Sequence, residues 1–176
     1  MERRDPVQIV PYDPEWPDLF ERQRRRVEAA VGPLLVGPVE HIGSTSVPGL
    51  PAKPIVDMLA LVADYDTTAG VADALSGIDW VPAPEPGDGA RRRRSFCFPS
   101  VAWRTHHLHV WEETSDWRPL LAFRDHLRTH SDDAREYGRL KTELAAAHRD
   151  DRPAYRAGKA PFIEARLRTL GHTHDR

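Results

Sequence analysis

The segment from Lys53 to Val62, KPIVDMLALV, restricts the possible folds of this chain more than any other stretch. In an extended strand successive side chains point to opposite faces. Here Val56, Met58, Ala60 and Val62 alternate with Asp57, Leu59 and Leu61, so both faces are apolar apart from one acid. Such a strand belongs inside a sheet that is covered on both sides. A charged Asp57 in that setting costs several kcal/mol unless it is paired, bound to a metal or placed where the strand leaves the core. A salt bridge to Lys53 or to an arginine would be a purely structural solution. A carboxylate serving a ligand would be a functional one.

The remaining pattern supplies the rest of the sheet and its cover. Val7 to Tyr12, VQIVPY, reads as a short edge strand, and PVEHIGS, SFCFPS and THHLHVWE read as further strands. Asp13 followed by Pro14 has the form of a helix start, and Leu19, Phe20, Val27, Ala30 and Val31 give that helix a core-facing stripe. Asp66 and Thr67 are positioned to cap a short helix ending before Gly77. From Trp117 onward the spacing predicts three helices over about 119–130, 132–148 and 153–170, with Ser131 and Asp151 as caps. Strands first and helices last make the fold class α+β, with a C-terminal helical segment.

Composition narrows the classes further. With 176 residues, 40% hydrophobic and 30% charged, the chain is expected to form one domain over residues 1–176. A net charge of −2 provides no basic field, so neither DNA nor RNA nor an anionic membrane is the expected partner. Cys97 stands alone, which excludes an internal disulfide or a CxxC metal site, and its place between Phe96 and Phe98 reads as a buried, inert thiol. No apolar run approaches the ~20 residues that a membrane helix needs. The opening MERRDPVQIV lacks the apolar stretch of a signal peptide, so the expected location is the cytoplasm. Nothing in the pattern sets an oligomeric state.

Several constellations carry chemistry. Gly43-Ser44-Thr45-Ser46 comes off a strand, and backbone N–H groups at such a turn can hold a phosphate while glycine allows close approach. The same residues also make an ordinary capped turn. His107 and His109 lie two apart and therefore on one strand face, with His106, Leu108 and Val110 on the other. Two such imidazoles start a site for a divalent metal or a proton-transfer pair, and Asp57 would be the third ligand. Arg91 to Arg94 form an arginine run at the end of a Pro/Gly loop. They are either solvated or closed over a phosphate. Lys141, Lys159, Tyr137 and Tyr155 fall in the C-terminal helices, where lysine usually faces solvent.

The stretches VEHIGSTSVPGLPAKPIVDMLALV, THHLHVW and YGRLKTELAAAHRDDRPAYRAGKAPFI resemble the GrpB family, as does the opening VPYDPEWPDLFERQ. This is a group of small bacterial proteins related to a domain fused to some dephospho-CoA kinases. The resemblance implies the nucleotidyltransferase superfamily, a mixed β-sheet flanked by helices. There a Gly-Ser turn holds the nucleotide's phosphates, and two acids about a dozen residues later bind two Mg²⁺ ions. Gly43 and Ser44 match the turn, and Asp57 matches the first acid, thirteen positions after Ser44. The second acid position is Leu59, and the strand that would supply a third acid carries His107 and His109. One Asp with two His is a softer donor set, suited to a single Zn²⁺, Mn²⁺, Fe²⁺ or Ni²⁺ ion.

The resemblance therefore implies a nucleotidyltransferase-like protein that binds a nucleotide or another phosphorylated small molecule as substrate or ligand. A divalent metal (Mg²⁺, Mn²⁺ or Zn²⁺) would be its cofactor. In this reading Gly43, Ser44, Thr45 and Ser46 hold phosphate, Asp57 ligates metal or acts as a base, and His107 and His109 complete the metal site or carry protons. Lys53, Arg104, Lys141 and Lys159 neutralise phosphate charge, Tyr137 and Tyr155 line the pocket, and His41 is near enough in sequence to join it. A catalytically silent nucleotide- or CoA-like-metabolite-binding module is the alternative that Leu59 favours. A hydrolase with a single His/His/Asp metal site is the third.

Overall fold

The computed structural model describes residues 6–67 and 69–172. Its elements are α1 (Trp16–Val31), β1 (Glu40–Ile42), β2 (Val56–Val62), α2 (Ala69–Ser76), β3 (Val81–Pro82), β4 (Arg93–Pro99), β5 (Arg104–Glu112), α3 (Arg118–Thr129), α4 (Ser131–Ala147) and α5 (Arg152–Thr169). The five strands form one mixed sheet in the order β1-β2-β5-β4-β3. Among the described residues only the β2–β5 pair is parallel. With five α-helices among the described residues around this sheet, the class is α+β, as the pattern of elements implied.

Both faces of β2 are covered. Val56, Met58, Ala60 and Val62 join Leu108 and Val110 of β5 in a core closed by α1 (Val27, Val31) and α2 (Val71, Leu75). On the other face Ile42, Leu59 and Trp111 pack under Leu120 and Leu121 of α3. Leu59 is 1% exposed, and burying a leucine stabilises the fold by about 1.5–3 kcal/mol. A further cluster of Val47, Leu50, Leu127 and Tyr137, with Phe123 and Phe162 against it, ties the helices α3, α4 and α5 to the chain after β1. Gly158 lets α5 approach α4, since a Cβ there would run into the Leu144 side chain.

Several local expectations are corrected. Val7 to Tyr12 is not a strand: only Val10 pairs, through a single bridge to Ala52. Pro11 has no N–H to extend a ladder. The Asp13 carboxylate accepts from the Glu15 N–H ahead of α1, and the helix itself begins at Trp16. Asp66 pairs with Arg92, and the expected capping pair at Asp66 and Thr67 borders residue 68, outside the described residues. Asp151 does cap α5, accepting from Ala154 N–H at 3.0 Å, whereas Ser131 is the first residue of α4 and His130 precedes it without a side-chain cap. The arginine run is not all loop, because Arg93 and Arg94 belong to β4. Cys97 is buried, as its phenylalanine neighbours suggested. Among the described residues no helix is long and apolar enough to cross a membrane.

Candidate functional site

Strand pairing assembles the site. Ile42 lies opposite Asp57, Asp57 opposite His107, and Leu59 opposite His109, so the acid and both imidazoles share one sheet face. Gly43 follows β1 directly and adopts φ +71°, ψ −172°, a conformation essentially reserved for glycine. A Cβ there would sit 2.7 Å from Asp57 Oδ2, so the glycine brings backbone against the carboxylate. Asp57 is the second residue of β2, and its side chain keeps a third of its surface, so it sits where the strand leaves the core.

Hydrogen bonds fix the tautomers. Arg104 Nη1 lies 3.0 Å from His107 Nε2, and a guanidinium can only donate, so Nε2 accepts. His107 Nδ1 therefore carries the hydrogen and donates to Asp57 Oδ1 at 3.2 Å. Ser95 Oγ donates to Asp88 Oδ1 and lies 3.2 Å from His109 Nδ1, which assigns the hydrogen to that nitrogen and leaves Nε2 as an acceptor. Burial raises the Asp57 pKa, but the His107 hydrogen bond, with the fields of His107, His109 and Lys53, outweighs it and holds the carboxyl well below the usual range. Burial pushes His109 down to about 4, so it is neutral near pH 7.

These groups open onto a cavity of about 330 Å³ between the sheet and α3, α4 and α5. Gly43, Ser44, Lys53, Asp57, His107, His109 and Tyr137 line it, with Phe123, Leu127 and Ile163 forming an apolar wall. Sequence reasoning missed Glu85, Arg124 and Arg156, which also line it, and it offered Arg93 only as one of the arginine run that could close over a phosphate. The one available signal was Arg93, whose alternation within the arginine run puts it on the face of Ser95, while Arg92 pairs with Glu112 and Arg94 lies over Tyr65. Arg93 is held by Asp88 and Glu85, and Arg124 by Glu40 and Asp125.

Other predicted residues stand behind the cavity wall. Lys141 is 2% exposed and donates to Pro51 O at 2.6 Å. Burial, with repulsion from Lys159 and Lys53, pushes its pKa down to about 6, and burial brings Lys159 to about 8. Lys53 and Lys159 flank the same Tyr155 ring, 5.8 and 4.7 Å from its centre. Thr45 bonds His41, and both the N–H and hydroxyl of Ser46 return to Gly43 O, so these two side chains serve the turn. Arg104 sits behind His107. His41 is no part of the site: it stacks on Phe20 at 4.6 Å, and burial lowers its pKa to about 4.

Asp57, His107 and His109 each offer a donor atom, all within 4.8 Å of one another. A two-Mg²⁺ arrangement does not fit, because the second acid's place is Leu59, buried against Ile42 and Trp111. A single ion fits poorly as well. Metal-bound histidines usually donate their other N–H to a carboxylate or carbonyl, whereas His107 Nε2 faces the Arg104 guanidinium. An ion on Nδ1 would set two N–H donors against each other.

Comparison with known proteins places the chain. The family described as "GrpB protein" matches residues 6–169. The chain belongs to the GrpB family. It is 36% identical over 160 residues to the UPF0157 protein YqkA of Bacillus subtilis, covering 90% of this chain and 45% of that one. A UPF0157 protein of Pseudomonas aeruginosa is 38% identical over 160 residues, again with 90% of this chain covered and 65% of the relative. The chain thus spans less than two thirds of both. A stretch of 75 residues is 39% identical to a dephospho-CoA kinase of Mycobacterium bovis, over 18% of that enzyme. The crystal structure of GrpB from Enterococcus faecalis superposes with a TM-score of 0.80 at 30% identity, covering 94% of this chain and 100% of that one. Terminal uridylyl transferase 4 from Trypanosoma brucei, solved with bound CTP, matches 96% of this GrpB chain and 54% of its own at a TM-score of 0.50 and 14% identity. Cid1, a terminal uridylyl transferase, has the same score at 12% identity, with 76% of this chain and 40% of that one covered. At these identities the likeness shows a nucleotidyltransferase-like fold alone.

Proposed function

We propose that the cavity binds a phosphorylated small molecule, with a nucleotide as the leading class, and that Asp57 acts on a group this ligand reacts with. The observation that carries this reading is the charge pattern. Lys53, Arg93, Arg124 and Arg156 line the cavity with Asp57 and Glu85, and although Arg93, Arg124 and Arg156 are each paired with acids, four cationic side chains border one enclosed space. Lys141 is buried with its charged form disfavoured, and a multiply charged phosphate held nearby offsets the cost of charging it. Gly43 and Ser44 supply the close backbone approach, and the apolar wall of Phe123, Leu127 and Ile163 suits a base or acyl portion.

A site that only held phosphate would gain nothing from an ionised carboxylate beside it. Asp57 has one oxygen tied down by His107, and the other rests against Gly43. In this reading it takes the proton of an acceptor hydroxyl or amine as that oxygen or nitrogen bonds to phosphorus and the bond to the leaving phosphate or pyrophosphate breaks, while the lysines and arginines balance charge on the transferred and leaving groups. His107, locked in one tautomer, holds the carboxylate in place. The silent binding module is the second reading, favoured by Leu59 at the place of the second acid.

Calorimetric titration with inorganic pyrophosphate and nucleoside triphosphates, with and without Mg²⁺ or Zn²⁺, tests both. Lys53→Ala and Ser44→Ala are expected to weaken binding about tenfold each. Asp57→Asn removes a repulsive charge, so it should bind at least as tightly while abolishing turnover. Unchanged affinity in Lys53→Ala would refute the binding reading. Binding without turnover in the wild type for any acceptor offered would favour the silent module.

A further inference from the structure

The two imidazoles that line the cavity have opposite surroundings. His109 Nδ1 directs its hydrogen at Ser95 Oγ, 3.2 Å away, and that hydroxyl donates in turn to Asp88 Oδ1. With one nitrogen satisfied as a donor, Nε2 is left as an acceptor, the state a metal-bound histidine takes. His107 is held the other way round. Arg104 Nη1 donates to its Nε2 at 3.0 Å, which keeps the hydrogen on Nδ1, directed at Asp57 Oδ1 3.2 Å away.

Distance does not set this site against a metal. A tetrahedral Zn²⁺ with bonds of about 2.0–2.2 Å holds its donors about 3.3–3.6 Å apart, close to the 3.2 Å between Asp57 Oδ1 and His107 Nδ1. The obstacle is the proton between them. An ion on Nδ1 would move that hydrogen to Nε2, where it meets a guanidinium that can only donate. It would also bring a double positive charge close to that guanidinium. Arg104 is not free to swing aside, because its Nη2 donates to Val101 O at 2.9 Å.

We propose that Arg104 is the residue that decides this site against a divalent ion, by keeping a proton rather than a metal between His107 and Asp57. The acid and two imidazoles then work as a hydrogen-bonded carboxylate–imidazole pair beside a neutral imidazole. Asp57 Oδ2 and His109 Nε2 remain as acceptors for a hydroxyl or amine of a bound molecule. The proposal concerns the protein's own donor set and does not depend on the cavity holding a phosphorylated ligand.

The test is a series at Arg104 in the untagged full chain. Zn²⁺ and, separately, Mn²⁺ are titrated by calorimetry, and His107 nitrogen-15 shifts are recorded in excess Zn²⁺. Each protein is compared with its Asp57→Ala counterpart, so that ions held by histidines elsewhere cancel. The wild type is expected to show no Asp57-dependent ion site and to keep the His107 Nδ1–H signal. Arg104→Glu gives a hydrogen on His107 Nε2 an acceptor and frees Nδ1, so an Asp57-dependent Zn²⁺ site should appear, at least tenfold tighter than in the wild type. Arg104→Gln, which can accept through its amide oxygen, should gain less, and Arg104→Lys, which still donates, should gain nothing. A merely structural arginine would make the three variants alike. Circular dichroism checks each fold, and if the glutamate variant does not fold the glutamine variant carries the comparison. Asp57-dependent binding of Zn²⁺ or Mn²⁺ by the wild type, with loss of the Nδ1–H signal, would overturn the proposal. So would folded glutamate and glutamine variants that gain no site, or a lysine variant that gains as much as the glutamate one. Pyrophosphate titrated without divalent ions reports on the phosphate reading separately, and its failure to bind would leave the result at Arg104 standing.

Discussion

Replacing Lys141 with methionine should make the protein more stable near neutral pH and less stable in alkali. Lys141 is 2% exposed, donates one hydrogen bond to Pro51 O and lies 4.9 Å from the centre of the Tyr137 ring. Burial, with repulsion from Lys159 and Lys53, lowers its pKa from an ordinary 10.5 to about 6. Between these values the unfolded chain binds a proton that the folded chain does not, so stability rises with pH by about 1.4 kcal/mol per unit. Below about pH 6 the lysine is charged in both states and the whole penalty is present. Above 10.5 the penalty is gone. At pH 7 it amounts to roughly 4–5 kcal/mol. Methionine removes it, fills a similar volume and leaves Pro51 O without its donor, a loss of about 1–3 kcal/mol.

The difference between variant and wild type should therefore favour Lys141→Met by about 2 kcal/mol at pH 7 and reverse sign at about pH 8.5. Urea unfolding of both proteins at four pH values from 6 to 10 measures this, and the difference cancels the other titrating groups. A flat difference across that range would refute the reasoning, since it would mean that Lys141 keeps its ordinary proton affinity in the fold. Saturating pyrophosphate should flatten the wild-type slope, because a bound anion restores the charged lysine.

Gly43→Ala combines a backbone conformation that costs about 1–3 kcal/mol outside glycine with a Cβ 2.7 Å from Asp57 Oδ2. It should lower stability by at least that amount, and adding Asp57→Ala should return part of the loss in a double-mutant cycle. His41, His106 and His109 are each pushed down to about 4, chiefly by burial. The unfolded chain therefore takes up protons first as pH falls below 6.5, and the melting temperature should drop steeply between pH 6.5 and 4. His106→Phe should remove about a third of that slope. Gly158→Ala drives a methyl into Leu144 and should cost about 1–3 kcal/mol in chemical denaturation. Arg104→Gln removes the obligate donor to His107 Nε2. Nitrogen-15 chemical shifts should then report a mixture of His107 tautomers in place of the Nδ1–H form alone.

Periodicity alone decided which face each strand residue takes. It put His107 and His109 together and His106 with the core, it required cover on both sides of β2, and it gave Asp151 its place as a cap. Those properties depend on neighbours a few residues apart, where backbone geometry leaves little choice. The family's pattern in the sequence also pointed to Asp57, Gly43 and Ser44 as a group. Tertiary structure decided the rest. Fifty residues separate Asp57 from His107, and only the parallel register of β2 with β5 makes them partners. Whether Lys141 meets water or the interior depends on how α4 docks over Pro51, and helical spacing does not carry that information. The contact that fixes the His107 tautomer and sets the donor set against a metal is three residues long in sequence, from Arg104 to His107. It was unreadable there because a side-chain direction at a strand's first residue is set by what surrounds it, and here the Val101 carbonyl, accepting from Arg104 Nη2, holds the guanidinium.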